Sequence, residues 1–390
     1  MYFQLRSSHI SSISSVGYNI HPYWAAIVPL RNLLALHVER QGGKGRGISE
    51  DLNAAMTFAS RLAEISPKHY QMNPLVPFHL EIMKRQDPKY LPHEYLHQSW
   101  IITDFAQVTA SFEAIGLTYA GHADAEDLPD AYNLTPQQSS FINAIEDPVM
   151  RETVRDLTIN RKTRHDFWVK GGVSADITGR DAALREFKLV AIVPRGAFHM
   201  TVNLPAGETM LREDVYAAVA DILKADGYRP KSLGEIAAHL AATGAFTPQQ
   251  AWSQTIEAAC VFLGLRYTAV LAPDAGDPQD SLHNCANMNQ YLISRVRAGT
   301  PTHMVSPVAG GAVLVDGINT ILVEAMNGKM TDAARMADHV MERLFADRDP
   351  GMDLDITRQK ELRAQIDATT RVFLDEYAPL YTALGITRGL

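Results

Sequence analysis

The segment from Asp104 to Ala123 constrains the fold more than any other. An apolar-periodic stretch, Asp104 to Ala114, stops at Gly116, and LTYAGHA follows at once. Helix, glycine stop and alternating strand make the elementary α/β unit. Upstream, the same pattern gives a strand from Ile10 to Tyr18, a turn at Asn19 to Pro22 and a helix from Trp24 to Gln41. In that helix Ile27, Leu30, Leu33, Leu34 and Val38 recur at three-to-four spacing. Pro29 offers a later start, because proline has no N–H to donate and suits a first turn.

Ser49 reads as the N-cap of a second helix running to Ile65, with Glu50 and Asp51 in its first turn. Pro67, Pro74 and Pro77 break the next stretch, and a helix from Leu75 to Arg85 follows. Thr135-Pro136 and Asp147-Pro148 each pair an N-cap residue with proline at the first helical position. Phe187 to Val193 and Phe198 to Val202 alternate like a hairpin. Three helices, Leu211–Gly227, Ser232–Ala242 and Thr247–Leu263, then precede a strand at Tyr267 to Leu271, the order of a winged helix. The phrase VAGGAVLVDGINTILVEAM reads as strand, turn and helix. The fold class expected is α/β followed by mostly α. Residues 1–130 are expected to form a partial α/β layer, 131–205 a mostly helical segment, and 206–390 a winged-helix-like domain with a helical tail.

Composition limits the partners. The 390 residues carry a net charge of −8, which argues against a nucleic acid held by its phosphates. The third helix of the winged-helix-like region offers Trp252, Gln254 and Glu257 and no Lys or Arg, so it suits a protein contact. Cys260 and Cys285 give neither a disulfide framework nor a Cys-rich metal site, and a reducing cytoplasm is expected. No apolar run approaches the ~20 residues of a bilayer span, and the first residues do not read as a signal peptide. Neither nucleic acid nor membrane is an expected partner.

Several phrases, taken in order, resemble the methyltransferases that carry a methyltransferase regulatory domain, a family that includes bacterial protein-lysine methyltransferases. VGYNIHPYW (Val16 to Trp24) resembles its Y-N-x-x-P-G-W turn, with Tyr23 in place of the glycine. YLPHEYLHQSW resembles L-x-H-E-Y-L-N-x-x-W, with His97 in place of the asparagine. The run from Leu134 to Gly171, ending RKTRHDFWVKG, is similar to the family's N-x-x-F-R-x-D-x-F-x-x-G, with Thr163 for phenylalanine. NCANMNQYLISRVRAGTPTHMVSPVAGGAVLVDGINTILVEAMNGK resembles its C-terminal module. The resemblance implies a class I S-adenosylmethionine-dependent enzyme and protein (lysine) substrates. By the same resemblance Tyr18, Asn19 and Trp24 face the acceptor amine. His93, Glu94 and Tyr95 are second candidates for that cleft. The family's acidic-Gly-x-Gly-x-Gly cofactor loop is not found in this sequence. The chain is expected to begin near the fifth strand of the catalytic domain, with a separate chain or upstream reading frame supplying the cofactor site. A non-catalytic regulatory subunit is the alternative.

Three constellations invite other chemistry. Gly42 to Gly47 (GGKGRG) imitates a nucleotide loop, but it follows an amphipathic helix where a cofactor loop follows a strand. His93-Glu94-Tyr95-Leu96-His97 matches H-E-x-x-H, which on a helix would grip zinc and give a hydrolase, with Glu113 and His122 as candidate third ligands. Pro92 and the lack of an obvious third ligand weigh against it. Arg151, Arg155, Arg161, Lys162, Arg164 and Lys170 stand among Glu152, Asp156 and Asp166. They suit either an acidic protein segment or a solvated helix face of ion pairs, with Asp166 holding one of the arginines.

Overall fold

A computed structural model describes residues 12–43, 45, 47–97, 99–124, 127, 129–171, 177–271, 278–346 and 356–387. Ile10, Lys44, Arg46 and Gln98, which figure in the sequence reading, lie outside the described residues. The chain divides into two compact units. Unit 1 is Met1–Asp124 with Asn133–Val173, and unit 2 is Ala125–Tyr132 with Ser174–Leu390.

Unit 1 opens with strand β1 (Ser12–Ile20) and a single helical turn α1 (His21–Trp24), then α2 (Val28–Gln41) and α3 (Ile48–Glu64). The expected helix from Trp24 is thus two pieces. Pro29 sits in the first turn of α2, where its missing N–H costs nothing. Ser49 is not an N-cap: α3 starts at Ile48 from an extended Gly47, with no side-chain cap. Helices α4 (Lys68–Met72), α5 (Leu75–Lys84) and α6 (Leu91–Tyr95) follow. Trp24, Ile27, Leu30, Leu34, Leu52, Ala55 and Leu80 are among the buried side chains that join these helices into one core.

Strand β2 (Ile102–Thr103), helix α7 (Phe105–Glu113) and strand β3 (Leu117–His122) realise the α/β unit read from the sequence. Asp104 caps α7 by accepting the Gln107 amide at 2.8 Å. A short helix α8 (Asp130–Asn133) lies where the division into units falls in the sequence. Helix α9 (Pro136–Asn143) starts with the expected cap, a full capping box between Thr135 and Gln138. Helix α10 (Pro148–Thr158) starts from Asp147, whose carboxylate accepts the Met150 amide at 2.6 Å. Strand β4 (Thr163–Lys170) completes a sheet of order β2-β1-β4-β3, parallel between β1 and β2 and antiparallel elsewhere.

Unit 2 begins with α11 (Ile177–Glu186) and β5 (Lys188–Ala191), then β6 (Thr201–Leu204) and β7 (Gly207–Met210). The expected hairpin between the first two of these strands does not form. Pro194 starts a tight turn at Arg195–Ala197 that carries the chain away, and β6 pairs with β7 across Pro205-Ala206. Helix α12 (Glu213–Tyr228), strand β8 (Lys231–Ser232), helices α13 (Leu233–Ala242) and α14 (Pro248–Gly264), and strand β9 (Thr268–Val270) follow. Three helices then a strand is the order read from the sequence. However, β9 pairs back onto β5 and β5 onto β8, so the strand that directly follows the three helices is not part of a local pair.

The remainder is α15 (Pro278–Ser294), hairpin β10 (Thr302–Ser306) and β11 (Gly311–Val315), α16 (Gly317–Asn327), α17 (Ala333–Ala346), α18 (Ile356–Val372) and α19 (Ala378–Ala383). The strand, turn and helix expected here are β11, the Asp316 cap and α16. No helix of the described residues is long and apolar enough to cross a membrane.

Candidate functional site

In unit 1, strand β4 alternates so that Arg164, Asp166 and Trp168 point to one buried face and His165 to the other. Trp168 packs among Phe105, Phe112 and Tyr119. That apolar wall lowers the local dielectric around the two charged residues beside it, which then need good partners. The Arg164 side chain is 0% exposed. Its Nη1 donates to both Asp156 carboxylate oxygens at 2.9 Å and its Nε to Asp166 Oδ2 at 2.9 Å. Its Nη2 donates to Glu152 at 3.0 Å and to the Tyr119 hydroxyl at 3.1 Å. The planar guanidinium lies over Phe105, 4.2 Å from the ring centre. Only arginine offers a fork of donors that meets so many acceptors at once. Arg161 adds a 2.7 Å bond to Asp156.

The basic stretch is therefore neither a solvated helix face nor, at Arg155, Arg161 and Arg164, an exposed patch for an acidic segment. These three arginines are buried. The reading of Asp166 as the holder of an arginine is the one the structure bears out.

A bulge in β3 between Tyr119 and Gly121, with Gly121 at φ +136, brings His122 opposite Asp166. His122 Nδ1 lies 3.1 Å from Asp166 and Nε2 3.0 Å from Glu152. Both ring nitrogens face carboxylates, an arrangement that favours the doubly protonated imidazolium. Burial alone would disfavour that charge, but the hydrogen bonds to Asp166 and Glu152 outweigh it and raise the His122 pKa. For Glu152 burial likewise opposes ionisation, and the His122 hydrogen bond and Arg164 charge overcome it, holding the carboxyl at about 2.

A folded-state pKa above the unfolded value stabilises fully below the unfolded value, here about 6.5, and that stabilisation is lost as pH rises through the folded value. Urea unfolding of the wild type should therefore show a loss of stability with rising pH that His122→Gln lacks. Equal pH slopes in the two proteins would remove His122 from the linkage.

Tyr18 stands opposite Arg164 in the β1–β4 register and donates its hydroxyl proton to Asp166 at 2.5 Å. Burial first, then this bond, keeps the phenol protonated far above its usual range. Asn19 is opposite Thr163, whose hydroxyl donates to Asn19 Oδ1 at 3.3 Å. Just beyond, Ile20, His21, Pro22, Asp104, Phe105 and Asp156 contribute to the lining of a cleft of about 330 Å³. It lies outside the carboxyl ends of the two parallel strands, the side where open α/β sheets bind ligands.

Trp24 is 0% exposed. Around it stand Tyr23, His79, Tyr95 and Trp100, each edge-on or tilted with centroids 5.3–6.3 Å away. His79 links Tyr23 (2.7 Å) to Tyr95 (2.8 Å) through its two nitrogens. Burial, then the nearby Lys162 charge, lowers the His79 pKa to about 4, so at neutral pH the cluster is uncharged. Tyr23, His79 and Trp100 are members that the sequence reading did not name as site residues, nor did it place Lys162 beside them. A histidine on the apolar face of α5 gave no separate signal.

Of the second candidates, only Tyr95 enters this cluster. His93 is exposed, and Glu94 accepts the Tyr90 hydroxyl at 2.9 Å. Helix α6 ends at Tyr95, so His97 lies past its end and does not share a helical face with His93. The zinc geometry of H-E-x-x-H needs that shared face. Among the described residues no three of His, Cys, Asp and Glu converge as a metal site would require.

The glycine segment is a connector between helices: Gly42 ends α2, Gly47 begins α3, and the Gly43 amide donates to Asp51 at 2.8 Å. With no strand before it and that amide engaged, it does not fit S-adenosylmethionine.

Residues 87–170 match the family model described as "Predicted methyltransferase regulatory domain". An uncharacterized protein of Synechocystis is 26% identical over 318 residues, which cover 80% of this chain and 60% of that protein. The chain thus spans 60% of the length of this curated relative. Two structures of PKMT2 from Rickettsia typhi share the fold at TM-score 0.62 and 16% identity. The one in complex with AdoHcy is matched over 96% of this chain and 75% of that one, and the other over 94% and 73%. The matched segment runs from the loop before α6 through β4 and includes the whole Arg164 network except Tyr18, so the part of the chain similar to the regulatory-domain model is the part that builds this network.

Proposed function

We propose that this chain is the regulatory and substrate-recognition portion of an S-adenosylmethionine-dependent methyltransferase acting on protein lysine side chains. One observation carries the reading: β4, the last strand of the matched regulatory segment, is hydrogen-bonded along its length to β1, the strand that ends in the Asn19–Trp24 turn. The regulatory segment and the acceptor turn share one sheet, so a shift in one is felt in the other. The methyl donor is held by residues other than those described.

In this reading the acceptor amine sits at the strand-end cleft. Asn19 Oδ1 accepts one amine N–H beside the Thr163 hydroxyl. Tyr18, on the other face of β1 with its proton committed to Asp166, orients the strand end that carries Asn19. Trp24 backs the turn. His93 and Glu94 remain proposals for the rim of the same cleft. The winged-helix-like region of unit 2 serves protein contact, and the cytoplasm is the proposed compartment.

The test combines the chain with a cofactor-binding methyltransferase chain and follows labelled methyl transfer to protein lysines. Asn19→Ala should abolish transfer while leaving the unfolding midpoint unchanged; full activity would remove Asn19 from the site. The second reading, a non-catalytic regulatory subunit, draws on the misfit of the glycine loop to the cofactor. A stable complex on gel filtration whose activity is indifferent to Asn19→Ala would favour it.

A further inference from the structure

We propose that the faces of Tyr23 and Trp24 covered by Lys162 form a seat for a primary alkylammonium, such as a protein lysine side chain, and that Lys162 of this chain occupies the seat as an internal competitor. The proposal deepens the reading of the acceptor turn and rests on it for the identity of the incoming group.

Lys162 Nζ lies 5.0 Å from the Trp24 ring centre and 5.6 Å from that of Tyr23. Such distances are those of cation–π attraction, which is also how aromatic cages hold alkylated ammonium groups. The neighbouring basic residues spend their charge on carboxylates: Arg161 on Asp156, and Arg164 on Asp156, Asp166 and Glu152. Lys162 does not. Among the described residues its ammonium makes no hydrogen bond and no ion pair, and aromatic rings are its only partners. Arg31 over Trp100 is a useful contrast, because it also donates to the His97 carbonyl and so is anchored by more than the ring.

Place and reach support an exchangeable occupant. The Lys162 carbonyl accepts the Ile20 amide at 3.2 Å, so the residue is tethered beside the strand-end turn. The residue itself is exposed, and its long stem can swing into solvent without disturbing that bond. The indole Nε1 of Trp24 is buried without an acceptor among the described residues, although buried indoles usually find one. An incoming lysine-bearing segment could bring a carbonyl oxygen, which Lys162 cannot. With His79 neutral, nothing in the aromatic cluster itself repels a cation.

A tethered ammonium competes at a high effective concentration, so its removal exposes the seat. The experiment follows the four tryptophan indole N–H signals of the full chain by NMR while n-butylammonium chloride is titrated in, with potassium chloride as the ionic control. Trp24→Phe assigns the Trp24 signal. In Lys162→Ala the Trp24 signal should move saturably, with an affinity about threefold to fivefold tighter than in the wild type. The Trp252 signal should stay still. Lys162→Gln, which keeps most of the stem, should behave like Lys162→Ala and guards against loss of fold. No saturable shift in either variant, an equal affinity in the wild type, or the same shift with potassium chloride would overturn the proposal. The readout needs no methyl transfer, so it stands or falls apart from the methyltransferase reading.

Discussion

Replacing Arg164 by methionine should destabilise unit 1 by about 3–5 kcal/mol, the cost of stripping one partner from a buried ion group. Methionine keeps the stem's length and apolar surface, so packing over Phe105 survives and the loss is electrostatic. What remains is Asp156, Asp166 and Glu152, all buried or nearly so, with Arg161 and His122 left beside them. An unpaired carboxylate in that setting must either stay charged without solvent or take up a proton, and both disfavour folding. Lysine should fail to rescue, because one ammonium cannot span the acceptors that the guanidinium reaches. Adding Asp156→Asn to Arg164→Met should recover part of the loss, since it removes one of the two carboxylates that each lost two bonds. The measurement is urea unfolding followed by tryptophan fluorescence, since Trp24, Trp100 and Trp168 all lie in unit 1. A loss below about 1 kcal/mol would place Arg164 among exposed ion pairs.

The Arg164 network also shows where the sequence stops being legible. Helix starts were readable because a cap is a local device: Asp104, Thr135 and Asp147 each satisfy amides within three residues of themselves. The strands flanking Gly116 and Asp316 were readable for the same reason. Pairing was not. The segment around Phe187–Val202 alternates as a hairpin should, yet β5 pairs with β8 and β9, tens of residues away, and β6 with β7, and alternation does not name a partner. Charge was misread for a related reason. Arg161 and Arg164 look like any helix-flanking cations until β1 and β3 close on either side of β4 and remove them from water. The Lys162 seat was equally hidden: it needs α1 and the loop before β4 brought together across more than a hundred residues, and no short motif records that.

Replacing Trp24 by alanine should cost about 3–5 kcal/mol, the range for deleting a large buried aromatic. The side chain is 0% exposed and touches aromatic rings of Tyr23, His79, Tyr95 and Trp100, so the void has no easy way to collapse. Trp24→Phe should cost only about 1–2 kcal/mol. It keeps an aromatic ring in the same cluster, and among the described residues the indole N–H has no acceptor to lose. The two variants separate the roles that the turn combines. A residue that serves the core alone would lose stability in proportion to the volume removed and change nothing else. A residue that also seats a cation should do more, because phenylalanine holds a cation more weakly than tryptophan. In the Lys162→Ala background, Trp24→Phe should therefore weaken n-butylammonium binding about twofold to threefold, read by calorimetric competition, at a stability cost too small to explain it. Unchanged binding alongside the full cost of Trp24→Ala would leave Trp24 as the keystone of the helical core and nothing more.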